Sequence, residues 1–258
     1  MKVISVANQK GGVGKTTTSV NLGAGLARAG KKVLLVDLDA QCNATQVIHR
    51  LLEEEEAGVF ETLVEESPLA DIVVPTSVEN MFLAPAGESL ANADLNLAGR
   101  MGREGFLREA LASPDMAKYD YVLLDTAPYL GLLTINAFVA SDYVVVPVSC
   151  DYLPLLGLKF LLQTVEKVQS KLHPDLSILG FLLTMYDRRE KITFEVEKVL
   201  MDRFGDKIFN TRIRINTKHR SAPSQRATIF EYERSSRGKG TEDFTAFTKE
   251  VLARITGE

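Results

Sequence analysis

The sequence predicts an α/β protein in which one doubly wound, mostly parallel sheet carries helices on both faces, formed as a single domain over residues 1–258. Three observations lead to this prediction. Apolar segments with the length and β-branched content of strands alternate along the chain with segments of helical periodicity. A glycine-rich loop lies between the first strand and the first helix. Aspartates follow two further strands, and strands that alternate with helices are typical of parallel sheets.

Eight short apolar segments bounded by polar or turn-forming residues predict the strands, and the segments between them have helical spacing. The predicted strands are Val3–Val6, Val33–Val36, Asp71–Val74, Met81–Ala84, Tyr121–Leu124, Tyr143–Val148, Ser177–Met185 and Lys207–Ile213. The predicted helices are Val20–Ala29, Ala44–Leu52, Phe60–Glu66, Phe106–Ala112, Leu132–Ala140, Leu156–Leu172, Ile192–Phe204 and Asp243–Ile255. Residues 216–240 are polar, basic and poorly periodic, and the acidic run Glu53–Glu56 is expected to be solvated.

The loop after the first strand has the composition of a phosphate-binding loop. Gly11, Gly12 and Gly14 allow positive φ angles, so that backbone N–H groups can turn towards an anion. The helix that follows adds partial positive charge at its N-terminus. Lys15 supplies a full charge for the outer phosphates, and the Thr16 hydroxyl suits Mg²⁺. We therefore expect a nucleotide to bind here.

Two aspartates end apolar strands in the same manner. Asp39 follows Val33–Val36 and is succeeded by Ala40 and Gln41, and Asp125 directly follows Tyr121–Leu124. A carboxylate at this place in a phosphate-loop protein commonly serves Mg²⁺ or the attacking water. Taken alone, each aspartate would also suit a helix cap or a loop. Because ligands bind at the carboxyl ends of parallel strands, we expect both to meet the phosphate loop.

Composition narrows the class of protein. The chain has 258 residues, 45% of them hydrophobic, and a net charge of −4. Two cysteines without metal-type spacing favour a reducing cytoplasm over a disulfide scaffold. No apolar run approaches the roughly 20 residues of a membrane span. We also expect no signal peptide, because the first predicted strand begins close to Met1.

Charge is unevenly distributed. Residues 1–150 carry 11 Lys and Arg against 19 Asp and Glu, whereas residues 151–258 carry 19 against 15. The segment from Arg212 to Lys239 contains eight basic residues and only two acidic ones, Glu231 and Glu233. Such clusters suit the phosphate backbone of a nucleic acid, although solvated loops would have the same composition. The candidate DNA contacts are Arg188, Arg189, Lys218, Arg220, Arg234 and Arg237.

Five segments together resemble the ParA/Soj family of partition ATPases, and the resemblance covers nearly the whole chain. The stretch 10–17, KGGVGKTT, resembles the deviant Walker A motif of that family, in which a second lysine precedes the glycines. The other segments are Val36–Gln41, Leu124–Pro128, Leu183–Asp187 and Ser221–Ser224. The resemblance implies an Mg²⁺-dependent ATPase that dimerises with ATP and binds DNA non-specifically. It also implies a ParB-like or cargo-adaptor partner that stimulates hydrolysis, and a cytoplasmic, nucleoid-associated location without membrane attachment.

The resemblance assigns roles residue by residue. Lys10 would cross the dimer interface to the partner's nucleotide, while Lys15, the surrounding loop residues and Thr17 would hold the phosphates. Asp39 would orient the attacking water. The expected phosphate contacts are Lys10, Gly11, Gly12, Val13, Gly14, Lys15, Thr16 and Thr17. The expected catalytic residues are Lys10, Lys15 and Asp39. The expected metal ligands are Thr16, Asp39 and Asp125.

The sequence departs from the family pattern at the segment near the adenine. The family often has Ile-Pro-Arg-Asn where this chain has Ile213-Arg214-Ile215-Asn216, so the family's proline is absent here. We expect Arg214 and Asn216 to contribute to nucleotide binding at the matching positions.

Two alternatives belong to other functional classes. A membrane-associated positioning ATPase resembling MinD would end in a basic amphipathic helix, but Asp243–Ile255 has Lys249 and Arg254 as its only bases. A metabolic phosphate-loop enzyme would need a substrate motif, and none is recognisable. The cargo, whether chromosome, plasmid or protein assembly, is left open by the sequence.

Overall fold

A computed structural model describes residues 1–53, 56–150 and 155–257, and part of the acidic run Glu53–Glu56 lies outside these residues. The eight strands in the described chain form one sheet, with the order β3-β4-β2-β5-β1-β6-β7-β8. All neighbouring strands are parallel except β3 and β4, which are antiparallel. The strands are β1 (Lys2–Val6), β2 (Val33–Leu38), β3 (Val74–Pro75), β4 (Met81–Ala84), β5 (Tyr121–Thr126), β6 (Tyr143–Ser149), β7 (Ser177–Tyr186) and β8 (Ile208–Arg214).

Helices connect and cover these strands. They are α1 (Lys15–Arg28), α2 (Asn43–Ile48), α3 (Val59–Val64), α4 (Ala93–Leu97), α5 (Phe106–Leu111), α6 (Leu132–Ala140), α7 (Leu155–Lys171), α8 (Lys191–Phe204), α9 (Lys218–Ser221), α10 (Ile229–Glu233) and α11 (Lys239–Thr256). Short 3₁₀ helices lie at Leu69–Ile72, Glu88–Asn92, Pro114–Lys118, Gly205–Lys207 and Pro223–Gln225.

Helices cover both faces of the sheet, as the sequence predicts. Alternate residues of β2 separate the two faces, because Val33 and Leu35 join one apolar cluster and Leu34 and Val36 join another. Helices α1 and α11 pack on the first face. Helices α3, α5 and α6 pack on the second, where α7 and α8 extend the cover over β6 and β7. The sheet is therefore buried on both sides, which is typical of parallel sheets.

The predicted strand Asp71–Val74 is wrong. Leu69–Ile72 is a 3₁₀ helix in which Leu69 and Ile72, three residues apart, are both buried. Pairing with the sheet is confined to Val74–Pro75 at its edge. Pro75 has no backbone N–H to donate, and edge strands tolerate such a residue.

Helix boundaries differ from the predictions where local contacts decide them. Helix α1 begins at Lys15, because Gly14 takes the left-handed conformation and starts the helix directly after the loop. Helix α2 ends at Ile48, and His49 is extended, so the predicted helix over Ala44–Leu52 is shorter in the structure. In the segment predicted to lack periodicity, Thr228 caps α10 by accepting a hydrogen bond from Glu231.

Helices α1 and α11 approach closely through a glycine. A Cβ atom at Gly25 would lie 2.1 Å from Thr248 Oγ1 and 3.2 Å from Thr248 Cβ. Glycine at this point therefore sets the distance between the helix that follows the phosphate loop and the C-terminal helix. No helix in the described chain has the length and apolar character needed to cross a membrane.

We expect Gly25→Ala to destabilise the fold by about 1–3 kcal/mol, because the added methyl group overlaps Thr248 in a packed interface. Thermal unfolding measures the loss. The double variant Gly25→Ala, Thr248→Ala removes the hydroxyl that the methyl would meet, and should recover part of the stability. Equal unfolding temperatures for the wild type and Gly25→Ala would contradict this packing.

Candidate functional site

The glycine-rich loop lies at the carboxyl edge of the sheet, between β1 and α1. Gly12 and Gly14 have φ angles of 73° and 85°, which residues with a side chain rarely adopt. Three side-chain contacts hold the loop. Asn8 Nδ2 donates to Pro147 O at 2.7 Å, Asn8 Oδ1 accepts from Lys10 N at 3.0 Å, and Thr184 Oγ1 donates to Val13 O at 2.9 Å. The loop is thus preformed for an anion at the start of α1.

Lys15 is the first residue of α1 and its side chain is buried beneath the loop. Its Nζ donates to the carbonyl of Lys10 at 3.3 Å. Burial lowers the pKa of Lys15, and the carboxylates of Asp125 and Asp39 oppose that change. A buried ammonium with so few partners suits a site that receives a strongly anionic group.

Asp125 is fully buried near the end of β5, and two hydroxyl groups of α1 bind its carboxylate. Thr16 Oγ1 donates to Oδ2 at 2.8 Å and Ser19 Oγ donates to Oδ1 at 2.7 Å. Burial raises the pKa of Asp125 to about 6, although these hydrogen bonds and Lys15 act in the opposite direction. The carboxylate therefore lies beside the hydroxyl of Thr16, as a shared metal site requires.

Asp37 is a site residue that the sequence interpretation missed. It pairs in register with Asp125 on the neighbouring strand and is fully buried. Its carboxylate accepts hydrogen bonds from Thr45 N at 2.9 Å, from Thr45 Oγ1 at 2.8 Å and from Asp39 N at 3.2 Å. Burial, with the charge of Asp125, raises the pKa of Asp37 to about 7. Its position two residues before Asp39 was the signal available in the sequence.

Asp39 lies just beyond β2 with its side chain turned towards the loop region, since it lines the same cleft as the glycines. Its Oδ1 accepts from Gln41 N at 3.0 Å.

The next turn contains Cys42, which has a left-handed φ of 54° and starts α2. Burial raises the pKa of Cys42 to about 11, so this thiol is protonated at neutral pH.

A cleft of 460 Å³ lies beside the phosphate loop. Lys15, Thr16, Asp39, Met185 and His219 are among its lining residues. Lys10 lies near its rim, with Nζ 3.4 Å from Ser149 Oγ. The other lining residues are Gly11, Gly12, Gly14, Thr17, Val20, Asn21, Gln41, Asn43, Val47, Pro128, Ala222, Pro223, Ala227 and Ile229.

A second cleft of 170 Å³ shares Gly14 and Thr17 with the first as lining residues. Arg214 and Asn216, the residues predicted for the base side, border it. Both side chains contact acidic groups in the structure. Arg214 binds Asp243 at 2.7 Å and Glu242 at 3.0 Å, and Asn216 Nδ2 donates to Glu233 at 3.1 Å. Their contribution to nucleotide binding stays a prediction.

The residue types at the phosphate loop fit Mg²⁺. The described chain has no cluster of three or more His, Cys, Asp and Glu residues that could hold a metal by themselves. Mg²⁺ commonly takes one or two protein oxygens and completes its shell with phosphate and water. Thr16 and Asp125, already within 2.8 Å of each other, and Asp39 nearby are suitable donors.

The six basic residues predicted to contact DNA are all solvent-exposed. Two of them make ion pairs: Arg189 binds Asp187 at 2.6 Å, and Lys218 lies 3.6 Å from Glu233. Arg188 follows β7, Arg220 lies in α9, and Arg234 and Arg237 follow α10. The structure thus places these cations on loops and short helices near the carboxyl edge of the sheet.

Comparisons with known proteins decide the family. Soj of Bacillus subtilis, described as a sporulation initiation inhibitor protein, is 46% identical over 252 residues, which cover 98% of both chains. A chromosome-partitioning ATPase Soj from Treponema pallidum is 41% identical over 253 residues, again covering 98% of both. The chain belongs to the ParA/Soj family. A family model described as an AAA domain matches residues 1–178.

A solved structure has the same architecture. It is titled cobyrinic acid a,c-diamide synthase from Mycobacterium smegmatis with bound ATP analogue and magnesium. It has a TM-score of 0.87 and 34% sequence identity, and the match covers 100% of this chain and 97% of that one. The resemblance to ParA/Soj proteins and the predicted fold class are confirmed, and the short edge pair β3–β4 is the antiparallel exception.

The buried acid pair makes the stability of this ParA/Soj protein depend on pH. The folded state raises the pKa of Asp37 and of Asp125, so it binds their protons more tightly than the unfolded state does. We expect the free energy of unfolding to fall as pH rises from about 4 to 7, by the order of a few kcal/mol, and to level off above pH 7.

Chemical unfolding between pH 5 and 8 in EDTA tests this, since a bound cation would favour the ionised carboxylates. Asp37→Asn keeps the shape of the side chain without its charge, and should remove roughly half of the pH dependence. A stability that rose through this range would show that the carboxylates are ionised in the folded state.

Proposed function

We propose that this protein is an ATP-dependent dimerising switch. With ATP and Mg²⁺ bound it forms a homodimer that binds DNA without sequence preference, and a ParB-like or cargo-adaptor partner stimulates ATP hydrolysis and release. The cycle moves or positions a chromosome, plasmid or protein cargo in the cytoplasm, in association with the nucleoid. The observation that carries the proposal is the arrangement of Lys10 and Lys15 around one preformed phosphate loop, above the buried carboxylate of Asp125.

The described residues fit ATP with Mg²⁺. The loop glycines and the start of α1 offer backbone N–H groups to the phosphates, and Lys15 adds a positive charge. Mg²⁺, when bound, would neutralise charge on the outer phosphates, with Thr16, Asp39 and Asp125 as the donors. Asp39, directly after the carboxyl end of β2, is the carboxylate that can hold the attacking water. Such reactions depend chiefly on positioning and electrostatic stabilisation.

Lys10 supports the dimer. It sits near the rim of the cleft, five residues before the phosphate-loop lysine, and Ser149 Oγ lies 3.4 Å from its Nζ. One buried lysine, Lys15, would already serve the phosphates from beneath the loop. A second cation at the rim suits contact with a nucleotide held by another copy of the chain. This arrangement would make the dimer depend on ATP, because the phosphates would supply the charge that Lys10 binds.

We expect Lys10→Ala to bind ATP as a monomer and to fail to dimerise, because the loop contacts remain and the contact to the partner's nucleotide is lost. Light scattering with Mg²⁺ and ATP measures the mass. Asp39→Ala is the dimeric reference, since it loses the water-orienting carboxylate and should turn over ATP at least about 100-fold more slowly.

The Lys10→Ala, Asp39→Ala double variant shows whether the ATP-bound dimer forms without Lys10. If it dimerises fully with ATP, Lys10 has no role across the interface. If Lys10→Ala has lost ATP binding in calorimetry, then Lys10 acts within its own subunit.

Addition of cobyrinic acid should leave ATP turnover of the wild type unchanged, and stimulation by that compound would favour a metabolic enzyme instead.

DNA binding should depend on the exposed cations, of which Arg220 offers the sharpest test. Lys218 is a poorer choice for charge reversal, because a carboxylate there would face Glu233, which also holds Asn216. Arg220 is exposed in α9, and no ion pair of its side chain occurs in the described chain. Contacts to phosphates release counterions, so the affinity should fall steeply with salt.

We expect Arg220→Glu to weaken binding to random-sequence duplex DNA by about 10-fold or more at low salt, with ATP-driven dimerisation intact. Arg108→Glu makes the same change in charge on an exposed residue of α5 and should bind DNA as the wild type does. Filter binding at two salt concentrations, with and without ATP, makes the comparison. An equal loss in both variants would mean that net charge alone, and no particular surface, governs the affinity.

A further inference from the structure

Thr45 joins three parts of the fold beside the candidate site. It lies in the first turn of α2, and its side chain is fully buried. Its backbone N–H and its hydroxyl both donate to Asp37 Oδ2, at 2.9 and 2.8 Å. The same hydroxyl oxygen accepts from the backbone N–H of Ala86, which follows β4, at 3.0 Å. One threonine therefore ties α2 and the loop after β4 to the carboxylate of Asp37 in β2.

The other oxygen of that carboxylate reaches Asp39. Asp37 Oδ1 accepts from the backbone N–H of Asp39 at 3.2 Å. Asp37 is fully buried, so its orientation is set by the groups that donate to it. Because the two oxygens of a carboxylate belong to one planar group, a donor that fixes the first also directs the second. Thr45 therefore orients the oxygen that holds the backbone of Asp39.

The turn that carries Asp39 is anchored to the sheet by this bond. Asp39 directly follows β2, and its carbonyl accepts from Cys42 N at 2.8 Å. Its own Oδ1 accepts from Gln41 N at 3.0 Å. Both of these bonds lie within the turn and move with it. The bond to Asp37 joins the turn to β2, so it helps to set where the Asp39 carboxylate lies relative to the cleft that it lines.

We propose that Thr45 is a positioning residue for ATP hydrolysis, acting through Asp37 to hold Asp39 where its carboxylate orients the attacking water. The inference rests on the proposed hydrolysis of ATP. It gives a role in the rate to a residue that is not among those lining the cleft, so Thr45 would affect turnover without holding the nucleotide. Displacing a catalytic group by about 1 Å can cost on the order of 100-fold in rate.

Turnover and ATP affinity, measured separately, test the proposal. Thr45→Val keeps the shape of the side chain without its hydroxyl. We expect it to lower kcat about 10-fold, because the Asp39 turn is held less precisely. Its Kd for ATP in calorimetry should stay within about 2-fold of the wild type, since the phosphate loop is untouched. Thr45→Ser keeps the hydroxyl and should restore most of kcat.

Thr62→Val is the matched control. Thr62 is also a buried threonine in a six-residue helix, α3, but its hydroxyl has no hydrogen-bond partner in the part of the chain that the structure describes. The same substitution there should leave kcat unchanged. Thr45→Val should unfold at a lower temperature than the wild type, because it leaves Ala86 N without its acceptor. Rates are therefore compared at a temperature where all variants are folded.

A double variant shows whether Thr45 acts through Asp39. Asp39→Ala lacks the carboxylate that Thr45 is proposed to position, and its slow turnover can be followed with radiolabelled ATP. Adding Thr45→Val to Asp39→Ala should therefore cause no further loss, so the two effects are non-additive. A further loss of about 10-fold in the double variant would mean that Thr45 affects the rate by another route, and the inference would be wrong.

The remaining outcomes separate this inference from the proposed function. If folded Thr45→Val has the kcat of the wild type, the inference is overturned and the proposed function stands. If Thr45→Val loses ATP affinity as strongly as kcat, or if Thr45→Ser does not restore the rate, the substitution disturbs the site as a whole and the positioning role is refuted. A wild type that binds ATP without hydrolysing it overturns both the inference and the proposed ATPase cycle.

Discussion

Two buried carboxylates, Asp37 and Asp125, lie side by side on strands β2 and β5, and the candidate site is built over them. Isolated charges in such a place are unfavourable, so each carboxyl is surrounded by donors. Thr16 and Ser19 bind Asp125 from α1, and Thr45 binds Asp37 from α2. Through these bonds the acid pair ties the helix after the phosphate loop, the loop after β2 and the central strands into one unit.

Two neighbouring carboxylates, Asp125 and Asp39, help to explain why Lys15 can be buried. Its ammonium group loses hydration beneath the loop, and the attraction of Asp125 and Asp39 offsets part of that loss. The site therefore holds opposite charges close together. A phosphate group and a divalent cation, entering together, would satisfy the ammonium and the carboxylates at once.

Many of the predicted elements are confirmed because their signals are local. The glycines and Lys15 specify a loop and a helix start within a dozen residues, and apolar strands such as Tyr121–Leu124 are too hydrophobic to lie elsewhere than in the sheet. The predictions that were wrong, or differed in extent, depended on distant contacts. The segment Asp71–Val74 has strand composition, yet the burial of Leu69 and Ile72 selects a 3₁₀ helix. Thr228 and Glu231 had a capping pattern in the sequence that the low periodicity of the basic segment obscured.

The sequence by itself determined the fold class, the glycine-rich loop before the first helix, the positions of Asp39 and Asp125 after apolar strands and the presence of a basic segment. These follow from the alternation of apolar residues, from the special backbone freedom of glycine and from formal charge, all of which act over short stretches of chain. Only the tertiary structure decided that Asp37 joins the site, that Arg214 binds Asp243, and that His219 turns inward from a basic helix. Each of these depends on which strands and helices become neighbours, because burial and charge pairing arise between residues far apart in the sequence.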